Sequence, residues 1–352
     1  MFTEQLCETL GRWRLASRRL PQQGPLRSED IAAALPVFSY VSRRLRFIPE
    51  GGALVEVTCR TIHSRLLLRP SRSFNELALG VFGRAQKRYK VRCCGVACLS
   101  NHLHLLLWVE DAEQLRKFME YVNGNLARKV GRLVGWRDKI WARRYQAILI
   151  SEEERAQVAR FRYVLAHGVK EGLVSHVRDW PGIHMARTLL DGEPLKGYWH
   201  NRTLEYADRQ RGKDFPASKY RTEEELKLTP LPCWQHLSAE EVRQRAADLV
   251  GEVEQEAAAA RAERGLPVLG AEAILSQNPH SCPLNTKRSP VPLIHAGTKR
   301  ARDSLRKAYY AFVGVFREAA EKWKKGNLGA RFPAGSFPPR PPFVREPLRA
   351  GP

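Results

Sequence analysis

Two apolar runs, Val91–Leu99 and His102–Val109, are parted only by Ser100-Asn101, and this pair constrains the fold more tightly than any other part of the chain. A two-residue break of turn-forming residues between such runs reads as a β-hairpin. Upstream, Ala53–Arg60 is a β-branched run with partial alternation, hence a strand. Phe74–Tyr89 reads as a helix, because Phe74, Leu77, Ala78, Val81 and Phe82 recur at i, i+3, i+4, i+7 and i+8. Downstream, Leu115, Phe118, Met119, Val122, Leu126, Val130 and Leu133 predict a second helix from Ala112 to about Val134. Tyr145–Ile150 predicts a short strand. The acidic stretch Ser151 to Glu154 predicts a capped start for a third helix, running through Val158 and Phe161 to about His167. The order β α β β α β α specifies an α+β domain, a ferredoxin-like (RRM-like) antiparallel sheet with helices on one face.

Charge narrows the partner. The 352-residue chain has 59 Lys+Arg against 37 Asp+Glu, a formal net charge of +22. Residues 40–150 alone hold 21 basic and 8 acidic side chains, so the basic surface belongs mostly to the sheet-forming segment and points to a polyanion. A hydrophobic share of 43% excludes a wholly disordered basic tail. The run Leu105–Val109 is far short of the roughly 20 apolar residues a bilayer-spanning helix needs, so no membrane partner is expected. The N-terminal stretch mixes charges into its apolar residues and lacks the apolar core of a secretory signal, which predicts a cytoplasmic protein. Seven cysteines without a CxxC pair signal neither a disulfide framework nor a zinc ribbon, and read as reduced, packed thiols.

Beyond about residue 200 the composition changes. Glu240–Arg264 is a helical pattern with 4 Arg and 7 acids, and Lys299–Lys325 another with 9 Lys+Arg and 3 acids, opposite charges that could let the two pack together. A Pro/Asn/Ser-rich connection, 278–292, lies between them, and the last twenty residues hold seven prolines. The expected organisation is an N-terminal extension (1–42), a domain at 43–190, a helical C-terminal region (191–330) of unassigned role and a Pro-rich tail (331–352). Cys233, His236, His280 and Cys282 could supply four zinc donors, although the wide gap between the pairs is unlike a compact zinc module and favours ordinary buried or surface residues.

Chemistry concentrates in two places. His102-Leu-His104 lies on a strand whose period of 2 puts both imidazoles on one face, where they can share a metal or simply pack. Tyr163 and His167 are four apart on a helix and hence neighbours, either as packing or as a nucleophile beside a third ligand. Arg128, Lys129, Arg132, Arg143 and Arg144, interleaved with Trp136, Trp141 and Tyr145, form a candidate DNA-contacting group, with a solvated helix face and core tryptophans as the other reading. Asn123 and Asn125 are candidate polar contacts.

These residues sit inside a longer pattern: Arg44-Leu-Arg, Val57–Arg60, Cys98–Leu107, Tyr121–Arg128, Ile140–Leu149, Arg162–Val174 and Asp179-Trp-Pro. In this order they resemble the single-tyrosine HUH transposases, especially the branch associated with repetitive extragenic palindromes (REP), over about residues 43–190. The resemblance implies an enzyme that cuts and rejoins single-stranded or hairpin DNA by transesterification. In such enzymes the tyrosine matching Tyr163 becomes 5′-phosphotyrosine, the histidines matching His102 and His104 hold a divalent metal, and the protein works as a monomer or homodimer. One position departs from the pattern. Four residues after the tyrosine the family usually carries Asn or Gln, whereas this chain carries His167-Gly168, so the expected metal, Mg or Mn, is drawn toward Mn by a third imidazole. Two further readings stay open: a non-catalytic single-stranded or hairpin DNA-binding descendant, and a three-histidine zinc hydrolase in which Tyr163 need not be the nucleophile.

Overall fold

At the centre of the computed structural model, which describes residues 44–283 and 293–341, β1 (Ala53–Arg60) pairs antiparallel on both sides. The helix α1 (Arg72–Tyr89) follows, started by the Ser71 side chain accepting the Phe74 N–H. β2 (Arg92–Leu99) and β3 (His102–Val109) form the expected hairpin, then α2 (Ala112–Leu133) starts on the Asp111 cap, and β4 (Gln146–Ile150) returns to the sheet. α3 (Glu154–Leu165) completes the part read from the sequence. After it come α4 (Ala186–Asp191), β5 (Leu195–His200), α5 (Arg202–Gln210), β6 (Arg221–Leu226), α6 (Ala239–Arg264), α7 (Ala271–Ser276), β7 (Ile294–His295) and α8 (Lys299–Lys324). The expected N-terminal extension, residues 284–292 and the tail from 342 lie outside the described residues.

The main sheet runs β2-β3-β1-β4-β7, antiparallel except for β7, which joins β4 in parallel. β1 packs its odd-numbered side chains toward α2, where the Cys59 thiol donates to Asn123 Oδ1 at 3.3 Å, and α1 lies alongside α2. Its even-numbered side chains face the opposite way, because successive strand residues alternate. α3 lies over that second face, so the sheet carries helices on both sides and not on one. There Arg160 reaches from α3 to the buried Glu56 of β1.

A two-stranded antiparallel sheet of β5 and β6, not foreseen from the sequence, lies on α1. Glycines permit the approach: a Cβ at Gly80 would meet the Tyr198 carbonyl oxygen at 2.2 Å, and one at Gly83 the Glu225 backbone at 2.7 Å. The two long helices of opposite charge have different principal neighbours, α6 packing on α3 and α4 while α8 packs on β7. Among the described residues no helix is long and apolar enough to cross a membrane. The described cysteines are all free, and Cys59, Cys93, Cys94 and Cys98 are buried.

Candidate metal and nucleophile site

The register Thr58↔His104 and Arg60↔His102 places four side chains of β1 and β3 on the face that α3 covers. His102 and His104 have ring centroids 5.1 Å apart, and α3 brings His167 to 4.1 Å from His104 and 5.8 Å from His102. One ligand atom from each of the three lies within 4.8 Å of the others, and this is the one such group of His, Cys, Asp and Glu among the described residues. Cys233, His236, His280 and Cys282 therefore do not gather into a zinc site. His280 instead donates through Nε2 to the Val134 carbonyl at 2.7 Å and edges onto Trp136.

His167 lies just past the last residue of α3. The chain turns sharply at Gly168, whose φ of +93° lies in the left-handed region, and a side chain there would also press on Trp180 at 3.3 Å. The expected side-chain cap of α3 does not form. Glu153, at the N-cap, turns its carboxylate instead to the Ser151 hydroxyl and to the N–H groups of Gly297 and Thr298.

Each imidazole uses Nδ1 within the protein. His102 Nδ1 faces Asn101 Oδ1 at 2.6 Å, His167 Nδ1 faces the Val164 carbonyl at 3.2 Å, and His104 Nδ1 faces Glu56 Oε1 at 2.7 Å with the Thr58 hydroxyl at 3.3 Å. An Nδ1–H donated this way leaves the Nε2 lone pair as the metal-binding atom, and a carboxylate behind a ligating histidine raises its basicity. Burial holds His102 and His167 well below the usual imidazole pKa and pushes His104 down to about 3, so all three are neutral and able to ligate at pH 7. The set suits a divalent metal that accepts nitrogen donors. Lys170 Nζ lies 3.1 Å from His167 Nε2, so the ammonium and a metal would compete for that lone pair.

Tyr163 edges onto His167 with centroids 4.9 Å apart and onto His104 at 5.8 Å. It remains 40% exposed, which leaves it reachable from solvent. Lys170 Nζ sits 3.5 Å and the Arg160 guanidinium 4.4 Å from its ring centroid. Arg60 lies close to Tyr163, His102 and Arg143, so Arg143 of the expected DNA group belongs at this rim. The others divide. Arg128, Lys129 and Arg132 are on α2, and Lys129 reaches the His200 carbonyl at 3.0 Å, away from the histidines. Arg144 is exposed near Tyr145 and Arg46.

The interleaved aromatics are engaged internally: Tyr145 is buried, Trp141 donates to the Asn123 carbonyl, and Trp136 donates to that of Lys139. Asn123 and Asn125 likewise bond within the fold, to Cys59 and to the Tyr121 carbonyl. Glu56, Arg60, Arg160 and Lys170 are site residues that motif reading passed over. The available signal for Glu56 was a lone carboxylate between Val55 and Val57 in the apolar first half of a strand.

No protein-family model and no curated protein matches the chain. Among solved structures it is similar to a REP-associated tyrosine transposase bound to a REP hairpin, at 16% identity and a TM-score of 0.33, over 50% of this chain and 90% of that one. It is also similar to a protein described as a transposase from Deinococcus radiodurans R1, at 15% identity and a TM-score of 0.25, over 35% and 95%.

Proposed function

We infer that the chain is a metal-dependent endonuclease and strand transferase acting on single-stranded DNA, hairpins included, with Tyr163 as nucleophile. The observation that carries this reading is the convergence of a half-exposed tyrosine with three neutral imidazoles on one sheet face. His102, His104 and His167 would hold a divalent metal through Nε2. The chemistry such a metal supplies when bound is charge stabilisation at the non-bridging phosphate oxygens and the departing 3′-oxygen. Three imidazoles favour Mn over Mg.

The chain's own residues do the rest. Arg60, Arg160 and Lys170 flank Tyr163, with Arg143 beside Arg60, and this positive charge can seat a phosphodiester. The Tyr163 oxygen attacks phosphorus and its proton passes to solvent. The P–O3′ bond breaks, the 3′-oxygen takes a proton to become a free 3′-OH, and the 5′-phosphate stays on the tyrosine. Reversal by an incoming 3′-OH rejoins a strand, because the phosphotyrosine conserves the bond energy.

The test is incubation of the full chain with end-labelled hairpin DNA from sequence flanking its gene, with Mn or Mg, on a denaturing protein gel. A covalent band carrying only the 3′-side fragment is expected. Tight binding with no band in either metal would replace this reading with the non-catalytic DNA-binding one.

A further inference from the structure

The sheet has a second charged surface, on the side away from the histidines. It begins on α1, where the Arg88 guanidinium lies 5.6 Å from the ring centroids of both Tyr89 and Tyr121. Tyr121 stacks on Trp199 of β5 at 5.7 Å and an interplanar angle of 26°. Trp199 in turn has Arg84 at 5.0 Å and Lys129 at 4.3 Å from its centroid. Arg128, Arg132 and Arg202 complete the group around Lys129.

Of these six cations only Arg84 is in an ion pair among the described residues, with the buried Glu224 at 2.9 Å. Burial first, then the neighbouring Arg202, Arg132, Arg128 and Arg84, holds Lys129 down to about 8, so the cations lie close enough to act on one another. Folding like charges together this way is unfavourable unless a counter-charge arrives.

Five of the six are arginine, whose planar fork matches phosphate oxygens two at a time. The aromatic rings, however, are half-buried and engaged with one another and with the cations, Tyr121 on Trp199 and Trp199 beside Arg84 and Lys129, which suits them to building the surface more than to stacking on an unpaired base. A single strand is held by stacking as well as by charge, whereas a duplex can be gripped through its phosphate backbone alone. We propose that the surface built by Arg84, Arg88, Arg128, Lys129, Arg132 and Arg202 is a second DNA site, which grips the phosphate backbone of duplex DNA without reading its sequence. It is separate from the strand held at Tyr163, and its existence does not depend on cleavage at that residue.

The experiment uses the full chain carrying Arg88→Glu and Arg202→Glu, two exposed cations outside the tyrosine site. Binding to a labelled duplex of arbitrary sequence is followed by fluorescence anisotropy from 50 to 300 mM salt, those settings being roughly the range over which phosphate contacts are lost. The expected result is a loss of at least about tenfold in duplex affinity and a salt slope shallower by about 2, since each phosphate contact contributes roughly 0.9. Covalent adduct on a short single strand is expected to persist. Unchanged duplex affinity and slope would overturn the proposal. Equal displacement by polyglutamate would overturn its DNA assignment, and loss of short-strand binding in a variant of unchanged Tm would overturn its separateness. Should the double charge reversal fail to fold, Arg88→Gln and Arg202→Gln, each expected to flatten the slope by about 1, decide the matter.

Discussion

Glu56 and His104 are joined by a 2.7 Å hydrogen bond from Nδ1 to a carboxylate that is only 1% exposed. The second oxygen of the same carboxylate holds Arg160, three residues before Tyr163 on α3. One buried side chain of β1 therefore orients a metal ligand and ties down the helix that presents the nucleophile. Glu56→Gln is predicted to lower Mn affinity by about 10- to 100-fold. Glu56→Ala is predicted to cost about 3 kcal/mol of stability or more, because it leaves a largely buried guanidinium without its partner. Calorimetric Mn titration and urea unfolding measure the two effects.

Tyr163→Phe removes one oxygen from a ring held by its edge contacts with His104 and His167. The covalent DNA adduct should vanish while DNA affinity changes less than about threefold. Adduct surviving in this variant on a denaturing gel would remove Tyr163 from the nucleophile's role.

His167→Asn exchanges an imidazole for a harder oxygen donor. Metal preference should move from Mn toward Mg, read as the ratio of adduct formed with each ion. His102→Ala should abolish metal-dependent adduct with either, since two donors remain.

Lys170→Met takes away the ammonium that meets His167 Nε2 at 3.1 Å. Mn should bind several-fold more tightly to the variant, and the gain should disappear when His167 is also replaced. Weaker Mn binding would show that Lys170 supports the site and does not compete for it.

His184 is buried, and that burial pushes its pKa down to about 4 despite backbone carbonyls of α3 that oppose the shift. The unfolded chain takes up this proton near pH 6.5, the folded chain only near 4. Stability is thus fully present above about pH 6.5 and falls as pH drops toward 4, by up to about 3 kcal/mol for this residue. Urea midpoints at intervals across that window, compared with His184→Gln, should show a slope shallower by one proton in the variant.

The sheet-forming half was legible because its signals are local. Ser100-Asn101 marks its own turn, and the α1 and α2 stripes repeat at helical spacing. β6 carries Arg-Thr-Glu-Glu-Glu-Leu, a charged run that becomes a strand only by lying against β5 on the glycines of α1. β7 has two residues and no pattern to read. The histidines and Tyr163 were visible as spacings on a strand and a helix. Glu56 and Arg160 were not, because what makes them site residues is a contact between segments about 100 residues apart in the chain, which no window of sequence contains. The basic group of α2 was seen as one set with Arg143 and Arg144, yet its members face different sides of the sheet.

Glu153, the residue on which α3 begins, gives its carboxylate to Gly297 and Thr298, and β4 next to it is flanked by β7. A chain leaving the ribosome emerges from its N-terminus. The strand and loop that fasten the root of the Tyr163 helix are therefore among the later parts to be made, and a polypeptide halted short of them holds that helix by the Arg160–Glu56 contact but leaves its first turn unfastened. Synthesis itself sets the order: completion of the sheet edge comes first, and a firmly placed nucleophile follows.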